Sequence, residues 1–188
     1  GIVKNCKFVL VGKQKKELKD HIQKKLNKFE NKYFYGKEYR VTKSLKNKFQ
    51  IKIDGKKYFY NQPSLNGKHQ EENASISIYF AKIMKNMGYR LNTKDINAAI
   101  KKTKWPGRLE VINYKHKKII LDGSHNIDGA DKLNEFLKTE RIKPIVLFGM
   151  LNNKKANLFL NKIKKRVSKV LAIEIPDEKN SFKTKQIN

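Results

Sequence analysis

Lys104-Trp105-Pro106-Gly107-Arg108-Leu109-Glu110, followed closely by Ile119-Ile120-Leu121-Asp122-Gly123-Ser124-His125-Asn126, is the stretch from which the fold is read. It stands out from a lysine-rich background, holding the only tryptophan of the chain, one of its four prolines and one of its five arginines. Pro106 lacks a backbone donor and Gly107 lacks a Cβ, so a helix arriving from the N-terminal side stops there. Past the break, Arg108 to Tyr114 reads as one strand and Lys118 to Leu121 as a second, apolar one. Asp122 to Asn126 is a polar turn, and Asp128 to Lys138 reads as a helix. A polar loop at the carboxyl end of a strand, just ahead of a helix, is where open α/β sheets hold ligands.

Downstream, strand and helix continue to alternate. Ile145 to Phe148 is an apolar run ending in Gly149, Lys154 to Arg166 reads as a helix, and Val170 to Ile175 as a strand ended by Pro176. This βαβ rhythm predicts a parallel sheet. Upstream, Lys7 to Gly12 contains a short strand, and Leu18, Ile22, Leu26 and Phe29 give Glu17 to Asn31 the spacing of an amphipathic helix. Phe49 to Ile53 alternates, Asp54-Gly55 follows, and Lys57 to Tyr60 completes the signal for a hairpin with a two-residue turn. The tyrosines among lysines here read as a half-buried sheet face or as a stacking platform for single-stranded nucleic acid. After a loop at Pro63 to Gly67, a helix starts at Gln70, with Ile76, Phe80, Ile83, Met84 and Met87 on one face and Gly88 closing it. Asn73 falls near its first turn, where Asn commonly caps. Thr93 is expected to cap a shorter helix carrying Ile96 and Ile100. The break near residues 104–109 then separates two domains, 1–107 and 108–188.

The 188 residues are 38% hydrophobic and 32% charged, with a formal net charge of +27. One cysteine, Cys6, excludes an internal disulfide, and no apolar run approaches the ~20 residues of a membrane span. The charge invites a nucleic-acid reading. Yet 39 lysines stand against five arginines, spread from end to end, and arginine is the residue that grips phosphate bidentately. A solvated basic surface with no specific nucleic-acid partner is the expectation. Gly12-Lys13 after a strand is not a phosphate loop, because position 7 is Lys and position 14 is Gln.

Trp105 to Glu110 and Asp122 to Asn126, together with Gly67-Lys68-His69-Gln70 and Asn73-Ala74 upstream, resemble the folylpolyglutamate synthase and dihydrofolate synthase branch of the Mur ligase superfamily. Gly1-Ile2-Val3-Lys4 and Phe148-Gly149 match its pattern more loosely. The resemblance implies an α/β chain: the C-terminal part of a P-loop-type ATPase domain, followed by the start of a Rossmann-like C-terminal domain. It implies an ATP-dependent ligase that forms an acyl phosphate on a folate or dihydropteroate carboxylate and joins it to L-glutamate. By the same resemblance Asn73, Arg108 and Asp122 contact ATP, and His125 contacts ATP or glutamate. The phosphate loop and the Mg²⁺ ligands of the branch would precede residue 1, and the rest of its C-terminal domain would follow Asn188, so these residues alone are not expected to turn over substrate. A cytoplasmic, monomeric enzyme with no membrane contact is implied. Ser124 stands where many relatives have Ala, Ile127 where many have Pro, and Asn152 to Lys155 departs from an Asp-rich stretch.

Each candidate also has a plainer role: Asn73 as a cap, Arg108 paired with Glu110, Asp122 as turn chemistry, His125 as a solvated loop residue. Two other functions fit the sequence in part, a basic RNA-binding domain and a fragment of a peptidoglycan-type Mur ligase. Asp122-Gly123 after Trp105-Pro106 favours the folate branch.

Overall fold

The computed structural model describes residues 3–183; Gly1 and Ile2 of the loosely matching N-terminal motif lie outside the described residues. The chain divides between Lys104 and Trp105 into two compact units, just ahead of the boundary expected after Gly107. Every strand pairing lies inside one unit or the other.

The first unit runs β1 (Val9–Val11), α1 (Lys16–Lys25), β2 (Lys32–Phe34), β3 (Tyr39–Ser44), β4 (Lys48–Ile53), β5 (Lys56–Asn61), α2 (His69–Asn86) and α3 (Thr93–Lys102). β1 and β2 pair in parallel through α1. That helix ends at Lys25 rather than Asn31. Phe29 donates its N–H to Leu26 O at 3.0 Å in a turn, and its ring packs with Val11, Leu26 and Phe34, so it serves the core without being helical.

β3, β4 and β5 form an antiparallel meander. The alternation of β4 sends Phe49, Ile51 and Ile53 inward and leaves Lys48, Gln50 and Lys52 on the other face. The β4–β5 turn has Asp54 at φ +44° and Gly55 at φ +85°, the doubly positive pair of a tight hairpin turn. On the inner face, Tyr39, Phe49, Ile51 and Tyr60 pack with Ile78 and Tyr79 of α2 and Ile100 of α3. Tyr39 and Tyr79 stack with centroids 4.9 Å apart, and the Tyr39 hydroxyl donates to Val11 O at 2.9 Å. Burial pushes the phenols of Tyr39 and Tyr79 well above the usual tyrosine range, and the Asp54 carboxylate adds to the shift at Tyr79.

Two expectations for this unit are corrected. α2 buries Gln70, Glu71, Ser75, Ile78 and Tyr79; of the expected face Ile76 and Ile83 pack half-buried against the core, while Phe80 and Met87 stay exposed. The polar members belong inside because they are partnered: Glu71 accepts from Ser44 Oγ and Gln62 Nε2, and Ser75 Oγ donates to Glu72 O at 2.6 Å. The cap of α3 is Asn92, whose Oδ1 accepts from Asp95 N at 2.9 Å, with Thr93 one residue inside.

The second unit runs β6 (Glu110–Tyr114), β7 (Lys117–Leu121), α4 (Ile127–Leu137), β8 (Ile145–Phe148), α5 (Ala156–Ile163) and β9 (Lys169–Ala172). A 3₁₀ turn at Lys164–Arg166 follows α5, replacing the end of the longer helix expected there. β8 and β9 pair in parallel around α5, as expected, but β6 and β7 form an antiparallel hairpin. Its turn is only Lys115-His116, both at positive φ, and a parallel crossover needs a dozen or more residues. Among the described residues no pairing joins β7 to β8. Ala130 and Leu137 of α4 pack with Phe148, Phe159, Ile163 and Val167. At the end of β8, a Cβ on Gly149 would lie 3.1 Å from Ile175 and 3.3 Å from Ile173 O, so the close approach there calls for glycine. No helix among the described residues is long and apolar enough to cross a membrane.

Candidate functional site

Trp105 to Leu109 is not strand. Gly107 sits at φ +68° and Leu109 at φ +49°, and β6 begins only at Glu110 because a residue in the left-handed region cannot continue a strand. Leu109 is 3% exposed, so a buried side chain anchors this strained backbone. The second loop, Asp122 to Asn126, is stitched to the first. Gly123 N donates to Gly107 O at 2.7 Å. One carboxylate oxygen of Asp122, Oδ2, accepts from Leu109 N at 3.0 Å, and the other, Oδ1, accepts from Ser124 N at 3.1 Å. Glu110 Oε2 accepts from Gly107 N at 2.9 Å.

Arg108 therefore stands exposed at the apex of a loop fixed on both sides. No carboxylate pairs with its guanidinium among the described residues; Glu110, its plain partner by sequence, is turned to Gly107 instead. A permanently charged planar donor held in this way suits a phosphate or carboxylate ligand. Asp122 has a structural task, but each carboxylate oxygen has a second lone pair, so a hydroxyl donor can still be accepted.

His125 is exposed, with Nδ1 3.0 Å from Gly123 O. A carbonyl only accepts, so Nδ1 carries a hydrogen and donates it. Asn126 caps α4, accepting from Gly129 N at 2.8 Å. A Cβ on Gly129 would lie 2.8 Å from Ser124 Cβ and 2.9 Å from Ser124 Oγ, which explains glycine in a first helical turn pressed against the loop.

Arg108, Asp122 and His125 thus share one pair of interlocked loops in the second unit. Asn73 belongs to the first. It is the fifth residue of α2 and exposed, not a cap. Its Nδ2 donates to Oε1 of buried Gln70 at 3.0 Å, which fixes the rotation of the amide. Asn73, Gln70, Ala74 and Ser77 line one side of a mostly apolar cavity of about 440 Å³, with Ile96 and Ile100 of α3 and Pro63 and Leu65 around it. Gln70, part of the Gly67-Lys68-His69-Gln70 motif, and Glu110, expected beside Arg108, hold Asn73 and Gly107 instead, roles that the sequence reading did not assign. A glutamine three residues before an asparagine in a helix, and a glutamate three after a glycine at a break, were the available signals.

The described residues define an α/β chain whose second unit carries a ligand-type loop pair at a strand end. No family model matches it. Over 91 residues it is 36% identical to dihydrofolate synthase/folylpolyglutamate synthase of Bacillus subtilis (strain 168), covering 48% of this chain and 21% of that protein. Over 112 residues it is 32% identical to folylpolyglutamate synthase of Lacticaseibacillus casei, covering 58% of this chain and 26% of that one. The chain thus matches about a fifth to a quarter of the length of these curated relatives. Folylpolyglutamate synthase from Thermotoga maritima superposes with a TM-score of 0.70 at 27% identity, over 96% of this chain and 43% of that one. The enzyme of Mycobacterium tuberculosis complexed with ADP reaches 0.81 at 19% identity, over 95% and 41%, a likeness of fold alone. The chain resembles folylpolyglutamate and dihydrofolate synthases in sequence over about half its length, and in fold over nearly all of it.

Proposed function

We propose that this chain contributes nucleotide-binding residues to an ATP-dependent ligase that joins L-glutamate to folates through an acyl phosphate, a folylpolyglutamate synthase that is bifunctional if it also accepts dihydropteroate. In this reading residues 1–107 belong to the central ATPase domain and 108–188 to the Rossmann-like C-terminal domain of the Mur ligase plan. The enzyme is cytoplasmic and monomeric. The observation that carries the proposal is the unpaired Arg108 guanidinium on a loop clamped by Asp122.

Each unit by itself presents groups whose chemistry suits a part of ATP. The apolar cavity beside Asn73 suits a purine ring, with the amide offering both a donor and an acceptor to its edge. Arg108 binds phosphate oxygens and offsets their charge, and Asp122 accepts from a ribose hydroxyl. His125, exposed beside them on the same loop, contacts ATP or the glutamate. ATP supplies the phosphoryl group that activates the carboxylate; the part of these residues is to bind and orient. Among the described residues no three His, Cys, Asp or Glu side chains converge on a metal position, and the sequence carries no phosphate-loop motif. Turnover by these 188 residues alone is not part of the proposal.

Titrating ADP into the chain while following backbone amide NMR signals tests this. Shifts at Asn73, at residues 107–109 and at residues 122–125, abolished by Arg108→Ala in a folded variant, are expected. Shifts confined to other parts of the chain refute the assignment.

A further inference from the structure

The β3–β4–β5 sheet turns one face to α2 and α3 and the other to solvent. On the outer face Arg40 stands opposite Lys52, and Lys52 opposite Lys57. Three cations thus share one rung across neighbouring strands, where like charges directly opposite one another destabilise a sheet. Among the described residues no carboxylate pairs with any of the three. The nearest acids in sequence are committed elsewhere: Asp54 to Lys82 and Tyr79, Glu38 to Phe34 N and Lys37. On the next rung Phe59 stands opposite Gln50, and the residue is 49% exposed. Gln50 Oε1 accepts from Thr42 Oγ1 at 2.9 Å.

A row of uncompensated cations beside an exposed ring on a flat sheet is a cost that an anionic, ring-bearing ligand removes. We infer that the outer face of this sheet binds single-stranded nucleic acid without regard to sequence, with Arg40, Lys52 and Lys57 on the phosphates and Phe59 stacked on a base. Phe59 decides between polyanions. An acidic polypeptide would engage the cations but offers nothing to stack on the ring, whereas every base has a π face. The many other lysines provide diffuse attraction; the rung and the ring localise the strand. The inference is independent of the nucleotide reading of Asn73, Arg108 and Asp122.

The test is fluorescence anisotropy of a labelled ten-nucleotide oligo-dT with the 188-residue chain between 50 and 200 mM salt. Removing three phosphate contacts in the triple variant Arg40→Ala/Lys52→Ala/Lys57→Ala should flatten the slope of log affinity against log salt by about 2, at roughly 0.7 per contact. A charge-matched triple on the helices, Lys24→Ala/Lys25→Ala/Lys101→Ala, should change it distinctly less. Phe59→Leu, which keeps an apolar side chain, should weaken binding about 5- to 150-fold, the range for loss of one stacked base. Thermal melts verify that each variant is folded. Equal effects of the two triples, or wild-type affinity in folded Phe59→Leu, overturn the inference. Poly-L-glutamate binding as tightly as oligo-dT and indifferent to Phe59→Leu overturns it in favour of a polycarboxylate.

Discussion

Asp122→Asn separates a loop clamp from a bare ligand group. The wild-type carboxylate accepts from two backbone donors, Leu109 N and Ser124 N. The amide keeps one acceptor and turns its NH₂ toward the other donor, so one hydrogen bond to a charged group is lost and a partly buried N–H faces another donor. A hydrogen bond to a charged group contributes about 1.5–3 kcal/mol. Asp122 is half-buried, so water recovers part of that, and the expected loss is about 1–2 kcal/mol of stability in the second unit. Urea unfolding followed by circular dichroism gives the total. Amide hydrogen exchange locates it: Leu109 or Ser124, protected in the wild type, should exchange at least tenfold faster in the variant, with β8 and β9 amides changed only by the global difference. If neither amide is protected in the wild type, or if both keep their protection in Asp122→Asn, the clamp does not exist in solution and the argument for an ordered Arg108 fails.

Three further outcomes are expected. Gly129→Ala should destabilise by about 1–2 kcal/mol, because the clash with Ser124, typically ~1–3 kcal/mol for overpacking, exceeds the gain of up to ~1 kcal/mol from alanine in a helix; Ser124→Gly in the same chain should restore most of the loss, and a melting temperature that does not recover would exclude the clash as its cause. The raised phenols of Tyr39 and Tyr79 bind protons more tightly folded than unfolded, so stability is fully present below about pH 10, the unfolded value, and is lost as pH rises above it; chemical unfolding at pH 9 and pH 11 checks this, and Tyr79→Phe should flatten the decline. Asn92→Ala should cost about 1 kcal/mol by removing the cap of α3, read as a lowered urea midpoint.

What the sequence disclosed, it disclosed through backbone chemistry. Asp54-Gly55 announced the β4–β5 turn because few residues accept two consecutive positive φ angles; Pro106-Gly107 announced the break, and Asp122 to Asn126 the loop. Lys115-His116 makes the same kind of turn as Asp54-Gly55, but its side chains have no such preference, so β6 and β7 were legible as strands and their hairpin pairing was not. The inner face of α2 was hidden for a related reason. Gln70, Glu71 and Ser75 become core residues only once partners are in place, and two of Glu71's partners, Ser44 and Gln62, sit elsewhere in the chain. Asp122 was legible as a turn residue, and its carboxylate does accept from Ser124 N two positions on. Its bond to Leu109 was not, because it spans thirteen positions and depends on the positive φ that places the Leu109 N–H.

Chain connectivity also sets an order of events in time. The β4–β5 and β6–β7 hairpins are each closed by two residues, and hairpins of this kind form in about 1–10 μs. The parallel pairs β1–β2 and β8–β9 instead wait for a helix to be laid down between their strands, with a longer loop to close. Each unit therefore has a rapid local seed and a late, distant closure, made at Val11 against Phe34 in one and at Phe148 against Ala172 in the other. Val11→Ala or Phe148→Ala is accordingly expected to accelerate unfolding and leave the folding rate nearly unchanged in stopped-flow chevrons, which would rest the durability of each unit in time on the strands that arrive last.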